Sequence, residues 1–210
     1  MKTRSISAIG VVLVGLIPAI IGGPVWAITY ALISMIAFVE YHNLASNLSP
    51  RIPKSGILLI PCFAAVAWTV HQERLAMGLV ALAVFLPMIS TLRRKNLAGA
   101  FTDWALASAG TLYLGIAVFA AAQLRLMPGT VSRDWVTNLD SSMSLAWQNA
   151  PRGLAWLIAV ILCTWLSDTF AYLVGRKIGK HKLSPVVSPN KSKEGFAGAL
   201  VASAATGAIL

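Results

Sequence analysis

The fold class is decided by one stretch of sequence, RGLAWLIAVILCTWLSDTFAYLV (residues 152–174), which runs directly into GRKIGKHKLSPVVSPNKSKEG (residues 175–195). The first part is apolar and long enough for a bilayer-spanning helix, which needs about 20 residues. The second part carries six Lys or Arg residues, one histidine and two Ser-Pro pairs. An apolar helix that leads into a basic loop predicts a membrane span with its basic end in the cytoplasm.

The composition of the whole chain is that of a helical membrane protein. Its mean hydropathy is +0.74. Hydrophobic residues make up 57% of the chain and charged residues only 11%, against roughly 25% charged residues in soluble domains. The net charge is +10, but the positive residues lie in loops between apolar segments, so we expect no nucleic-acid partner.

Seven apolar segments predict an all-α, polytopic membrane protein with about seven transmembrane segments. They cover residues 6–22, 24–39, 56–71, 75–91, 98–122, 152–174 and 194–210. The breaker Gly22-Gly23-Pro24 favours a tight helical hairpin for residues 6–39 over one long kinked span. We divide the chain into N-terminal membrane helices (1–125), an extracytoplasmic loop (126–151) and a last membrane region (152–210).

Lysine and arginine residues orient these segments. The predicted cytoplasmic side carries Lys2, Arg4, Arg51, Lys54, Arg93, Arg94 and Lys95, besides the basic loop 175–193. The predicted outer side carries balanced charges, namely Arg74 with Glu73, and Arg125 and Arg133 against Asp134 and Asp140, with Arg152 at the end of that loop. This distribution predicts a multi-pass protein of the inner (plasma) membrane, with the N-terminus and the 175–193 loop in the cytoplasm.

Asp168 is an acid inside an apolar helix, where a charge costs about 2.5–3.5 kcal/mol on insertion scales. The i, i+4, i+7, i+8 spacing places it on one helix face with Tyr172, Gly175 and Arg176. We expect Asp168 to hold or organise a hard cation such as Mg²⁺ at the floor of a cytoplasmic cavity, about 9 Å below the helix end. The alternative is a structural acid paired with a base such as Arg176.

The basic loop offers short polar donors as well as charge. One interpretation is a basic loop that only touches anionic lipid headgroups. The other is a phosphate site, because prolines stiffen the loop and its hydroxyl, amide and ammonium groups suit phosphate. The helix that opens at Glu194 and Gly195 adds N-terminal amides that can bind anions. The candidate phosphate-binding residues are Arg176, Lys180, His181, Lys182, Ser188, Asn190, Lys191 and Ser192.

Two other acids lie at the ends of apolar segments. Glu40, followed by Tyr41, ends the second segment and is either a polar helix end or a contributor to the same cavity. Asp103 begins the fifth segment, where an acid in a first helical turn is favourable, so we expect a structural role for it.

The segment from Asp168 to Gly195 resembles the phosphatidate cytidylyltransferase (CDP-diacylglycerol synthase) family. The resemblance rests on Asp168-x-x-Ala171-Tyr172-x-x-Gly175-Arg176, Gly179-Lys180-His181-Lys182-Leu183 and Ser188-Pro189-x-Lys191-Ser192-x-Glu194-Gly195. It implies a nucleotidyltransferase of phospholipid biosynthesis that uses Mg²⁺ to convert CTP and phosphatidic acid into CDP-diacylglycerol and pyrophosphate. Region 152–210 is then the start of the catalytic membrane domain.

The resemblance also implies roles for individual residues. Asp168, Lys191 and Glu194 are the expected catalytic residues, and Asp168 is the expected metal ligand. Tyr172 joins the phosphate-binding candidates as a substrate-binding residue. The expected partners are CTP, phosphatidic acid and membrane lipids, with a homodimer as the candidate assembly.

Two substitutions and one absence depart from the family pattern. Ser192 stands where the family more often has threonine, and Lys193 where it more often has an aromatic residue. A further signature with a His-Gly-Gly and additional acids does not occur before Leu210, and the chain ends within an apolar run, so we expect a truncated or incomplete form. The alternatives are a CTP-dependent lipid kinase of the polyprenol or phytol type and a non-enzymatic, degenerate membrane homologue.

Overall fold

The computed structural model describes residues 2–69, 73–132, 134–143 and 150–209. Within these residues the chain forms eight helices and one two-stranded hairpin, arranged in two compact units, Met1–Leu154 and Ala155–Leu210. The helices are α1 (Lys2–Ile21), α2 (Gly23–Ser46), α3 (Gly56–Trp68), α4 (Glu73–Leu92), α5 (Ala100–Arg125), α6 (Asp134–Met143), α7 (Pro151–Ile178) and α8 (Lys193–Ile209). The strands are β1 (Lys182–Ser184) and β2 (Ser188–Ser192).

Each predicted apolar segment coincides with a helix in the described part of the chain, which confirms the all-α class. The predicted break is present, because Gly22 and Gly23 adopt positive φ angles of 70° and 60° that favour glycine. Residues 70–71 and 210, which end two predicted segments, lie outside the described residues. Among the described residues, four helices are long and apolar enough to cross a membrane, namely α2, α4, α5 and α7, and α3 is apolar but shorter. Seven crossings and their orientation stay predictions.

In the first unit, α5 packs against α2, α3 and α4. Phe38, Ile60 and Val118, from α2, α3 and α5, are fully buried in this core. Gly115 allows α5 and α3 to approach closely, since a Cβ there would lie 2.6 Å from the ring of Phe63. Small residues at such crossings are typical of helices that pack in membranes.

Asp103 has the structural role that the sequence predicts. It lies in the first turn of α5 and is 1% exposed. Its carboxylate accepts hydrogen bonds from the Ser49 hydroxyl and the Arg94 guanidinium, and Arg94 also donates to the carbonyl of Arg51. These bonds hold together the connections that precede α3 and α5.

The predicted extracytoplasmic loop 126–151 is only partly a loop, because Asp134–Met143 forms α6. Residues 133 and 144–149 lie outside the described residues. The sequence treated Arg125 as a surface charge of this region, but Arg125 and Asp140 are each 1% exposed and lie 2.8 Å apart. Arg125 also donates to the carbonyls of Ala19, Ile20 and Ala150. It therefore satisfies carbonyls at the C-terminal end of α1.

The second unit corrects the prediction of an irregular basic loop at 175–193. Helix α7 continues through Ile178, and β1 and β2 then form an antiparallel hairpin. Its register pairs Lys182 with Ser192 and Ser184 with Ser188, with an irregularity between the two pairs. Strands with lysine, proline and asparagine have low intrinsic strand propensity, which explains why the sequence did not indicate this hairpin.

Glycines bring α8 onto the C-terminal half of α7. A Cβ on Gly195 would lie 2.7 Å from the carbonyl oxygen of Ala171, and one on Gly198 would lie 2.8 Å from the side chain of Val174. Ser192 precedes α8 as its N-cap residue, and its hydroxyl accepts the amide of Gly195 at 3.1 Å. The end of the hairpin is thereby fixed to the start of α8.

Candidate functional site

A cavity of about 830 Å³ lies in the second unit, bounded by α7, the hairpin and the start of α8. This volume falls within the range of about 300–1,000 Å³ that is usual for small-molecule sites. The cavity is lined by Asp168, Ala171, Tyr172, Gly175, Arg176, Leu183, Asn190, Lys191, Ser192, Gly195, Phe196 and Ala199. It therefore combines charged and hydrogen-bonding groups with apolar surface.

Helix α7 contributes the face that the spacing predicts, since Asp168, Tyr172, Gly175 and Arg176 all line the cavity. Arg176 Nη1 donates to the Tyr172 hydroxyl at 3.1 Å, so the guanidinium is directed by Tyr172. The acids of the three ion pairs among the described residues are Asp103, Asp140 and Glu194. Asp168 is not among them, which argues against the alternative of a structural Asp168–Arg176 pair. Because α7 extends to Ile178, Asp168 lies about 15 Å below the helix end rather than about 9 Å.

Strand β2 contributes Asn190, Lys191 and Ser192 to the same cavity. The Ser192 hydroxyl is already engaged by the amide of Gly195. Lys191 is exposed and lines the cavity together with Arg176 from α7. Two basic residues from different elements therefore line the same cavity as one acid, Asp168.

Five of the candidate residues do not line the cavity: Lys180, His181, Lys182, Ser188 and Glu194. Lys182 and Ser188 lie in the hairpin ladder, paired with Ser192 and Ser184. Lys180 and His181 connect α7 to β1, where their backbone amides face Glu194.

The carboxylate of Glu194 is held by several donors at the base of the hairpin. Oε1 lies 2.6 Å from His181 Nδ1, Oε2 accepts the Lys180 amide at 3.1 Å, and both oxygens lie 3.3 Å from the His181 amide. The hydrogen bond to the His181 ring, together with the backbone amides of Glu194, His181 and Lys180, lowers the pKa of Glu194 to about 2. The sequence placed Glu194 at the start of α8 but did not indicate this partner.

Glu40 and Tyr41 belong to the first unit. Glu40 is exposed, and the Tyr41 hydroxyl donates to the carbonyl of Leu106 at 2.8 Å. This contact fits a helix end that packs on α5. A contribution of Glu40 to the cavity stays a prediction.

The donor set suits a metal ion that is shared with a ligand. Within the described residues there is no group of three or more His, Cys, Asp or Glu residues that could enclose a metal. Asp168 is the only acid among the described lining residues, and Asn190 adds an amide oxygen. Mg²⁺ commonly binds through one or two carboxylates, waters and substrate phosphates, so this set fits Mg²⁺ bound together with a phosphorylated ligand.

Comparison with known proteins gives matches along almost the whole chain. Residues 2–210 match the cytidylyltransferase family. The phosphatidate cytidylyltransferase of Staphylococcus saprophyticus is 30% identical over 207 residues, which are 97% of this chain and 69% of that protein. Its counterpart from Staphylococcus aureus is 29% identical over 211 residues, with the same coverage. No solved structure matches the chain.

Proposed function

The chain belongs to the cytidylyltransferase family, and on that premise we propose that it is a phosphatidate cytidylyltransferase, a membrane enzyme that converts CTP and phosphatidic acid into CDP-diacylglycerol and pyrophosphate. The observation that carries this proposal is the cavity in which Asp168, Arg176 and Lys191 converge. It has the charge for a polyphosphate and lies beside α7, which is long and apolar enough to cross a membrane.

The reaction joins two anions. A phosphate oxygen of phosphatidic acid attacks the α-phosphorus of CTP, and the bond from that phosphorus to the bridging oxygen breaks, so that pyrophosphate leaves. The second pKa of a phosphate monoester is about 6, so the attacking oxygen is already ionised near neutral pH. The enzyme therefore has no need of a general base, and its task is to align two polyanions and offset their negative charge.

Two cations of the cavity support this task. Arg176 presents a planar fork that suits phosphate oxygens, and its hydrogen bond to Tyr172 limits the directions in which it can turn. Lys191 supplies a compact charge from β2. The approach of Lys191 and Arg176 from separate elements suits a ligand with several phosphate groups.

Asp168, with Asn190, is the place where Mg²⁺ would be held. When bound, the ion offsets phosphate charge and orients the attacking and leaving oxygens. The homodimer expected from the sequence stays a prediction.

Product analysis tests the proposed function. The purified full chain, in mixed lipid–detergent micelles with CTP, phosphatidic acid and Mg²⁺, should produce CDP-diacylglycerol and pyrophosphate in equal amounts. Free CDP together with a newly phosphorylated lipid would identify a CTP-dependent lipid kinase instead. Absence of either product, in protein that unfolds cooperatively, would favour a non-enzymatic homologue.

A further inference from the structure

Glu194 contacts the chain where the hairpin begins and ends. Glu194 is the second residue of α8, and its carboxylate joins the start of this helix to Lys180 and His181, which lie just before β1. Close by, the amide of Lys193 donates to the carbonyl of His181 at 2.9 Å. These bonds lie next to the Lys182–Ser192 pair, the last pair of the hairpin ladder. The two ends of the hairpin are thus tied together beside the residues that line the cavity.

The chemistry of the reaction gives Glu194 no direct part in it. The carboxylate does not line the cavity, and it is only 24% exposed because its oxygens face hairpin donors. A second negative charge beside the phosphates would oppose their binding. The attacking oxygen of a phosphate monoester is already ionised near neutral pH, so a general base adds nothing.

The hydrogen bonds of the carboxylate lie close to β2. Asn190 and Lys191 lie on β2, within four residues of Glu194 along the chain. An isolated two-stranded hairpin is only marginally stable in water. Without hydrogen bonds at the base of the hairpin, the ammonium group of Lys191 would sample positions away from the cavity. Binding of a polyphosphate would then carry the entropic cost of ordering this side chain.

We propose that Glu194 is a positioning residue, whose carboxylate, clamped by His181 and the amide of Lys180, holds β2 so that Lys191 and Asn190 face the phosphates of the nucleotide. The proposal rests on the proposed function only in taking CTP as the ligand. The clamp itself is a property of the hairpin and can be measured without turnover.

Two measurements on the full chain test the clamp. The first is hydrogen–deuterium exchange of peptides that cover residues 179–192, in the absence of substrate. The second is the separate determination of KM for CTP and kcat. The variants are Glu194→Gln and His181→Ala, with Glu73→Gln as the matched control, since Glu73 is an exposed acid in the first turn of α4.

Glu194→Gln should speed exchange in the hairpin and raise KM for CTP about tenfold, while kcat changes by less than about threefold, because charge-assisted hydrogen bonds are lost without loss of a reacting group. His181→Ala should act in the same direction but less, since the backbone donors remain. The double variant should be no worse than Glu194→Gln alone, because both substitutions break one unit. Glu73→Gln should match the wild type.

Unchanged exchange in both variants would overturn the clamp, even if activity falls. A loss of kcat by orders of magnitude with unchanged KM would overturn it in favour of a catalytic Glu194. If the wild type itself makes no CDP-diacylglycerol, the proposed function fails, and the exchange measurement still decides whether the clamp exists. Should Glu194→Gln not fold, His181→Ala carries the test.

Discussion

At the scale of single residues, the chemistry of the cavity depends on three charges that two elements bring together. Asp168 and Arg176 come from α7, and Lys191 comes from β2. The i, i+4, i+7, i+8 spacing was sufficient to predict the α7 face, because a helix fixes the directions of its side chains. The basic segment 175–193 has no comparable spacing rule beyond the end of α7. The sequence therefore could not show that Lys191 lines the cavity and that Ser188 does not.

Replacement of loop residues distinguishes a phosphate site from a basic loop that only orients the chain. Lys191→Ala should raise KM for CTP about tenfold or more, since a hydrogen bond to a charged group contributes about 1.5–3 kcal/mol. Ser188→Ala and Lys177→Ala should change KM by less than about twofold, because neither residue lines the cavity. Steady-state kinetics at constant ionic strength make the comparison, since exposed charges are screened over ~8 Å at physiological salt. Equal, small effects from all three would contradict the phosphate site.

The low pKa of Glu194 has a consequence for stability. The native state holds this pKa at about 2, below its ordinary value of 4.5, so folding favours the ionised carboxylate. Its stabilising contribution is fully present above a pH of about 4.5 and is lost as the pH falls through about 2. The ionisable side chains beside it are His181 and, along the chain, Lys180 and Lys193.

The difference in thermal unfolding midpoint between the wild type and Glu194→Gln should therefore shrink as the pH falls from about 4.5 to about 2. Thermal unfolding in detergent over a pH series measures it. A difference that stays constant from about pH 8 down to about pH 2 would mean that the folded and unfolded states bind the Glu194 proton equally, so that its pKa keeps the ordinary value without the clamp.

At the scale of elements, close approach of helices and the buried Arg125–Asp140 ion pair organise the structure. Hydropathy predicted where the helices lie because long apolar runs need little tertiary information. It did not predict α6, which is a short helix in a polar region, or the hairpin. Hydropathy also did not predict that Arg125 and Asp140 are buried as a pair. The burial of these two side chains and their contact with each other depend on how α1, α5 and α6 pack.

Contact between α7 and α8 depends on Gly195. Gly195→Ala would place a methyl group 2.7 Å from the carbonyl oxygen of Ala171 and 3.1 Å from the Cα atom of Gly175, and these backbone atoms of α7 leave it no room. We expect destabilisation of about 1–3 kcal/mol, which is typical of overpacking. Gly207→Ala is the matched control in the same helix, since a Cβ there has no neighbour within 4 Å. Equal thermal unfolding midpoints for the two variants would contradict this packing.

Asp140→Ala tests the buried ion pair in the first unit. It would leave the Arg125 guanidinium, 1% exposed, without its counter-charge. Removal of one partner of a buried pair costs about 3–5 kcal/mol, so the unfolding midpoint should fall markedly. Asp134→Ala, at the exposed first turn of the same helix, should cost no more than about 1 kcal/mol. A similar, small effect of both substitutions would show that the Arg125–Asp140 pair contributes little.

At the scale of the whole molecule, the distribution of lysine and arginine makes a prediction about orientation. Val186→Cys, at the hairpin turn with 94% exposure, should be labelled by a membrane-impermeant thiol reagent only from the cytoplasmic side. Asn138→Cys, on α6, should be labelled only from the outside. The free cysteines Cys62 and Cys163 are first replaced by alanine. Labelling of both positions from the same side would contradict the seven-span topology.

We propose that the cavity bounded by α7 and the hairpin is where the cytidylyl group of CTP is transferred to phosphatidic acid. The most direct test uses CTP labelled at its α-phosphorus, with wild type, Asp168→Asn and the control Thr169→Ala, whose hydroxyl bonds to the Trp165 carbonyl outside the cavity lining. We expect label in extractable CDP-diacylglycerol for the wild type and Thr169→Ala, and a loss of about 100-fold or more for folded Asp168→Asn. Near-normal turnover by Asp168→Asn at saturating Mg²⁺, or label that appears only in free CDP, would contradict it.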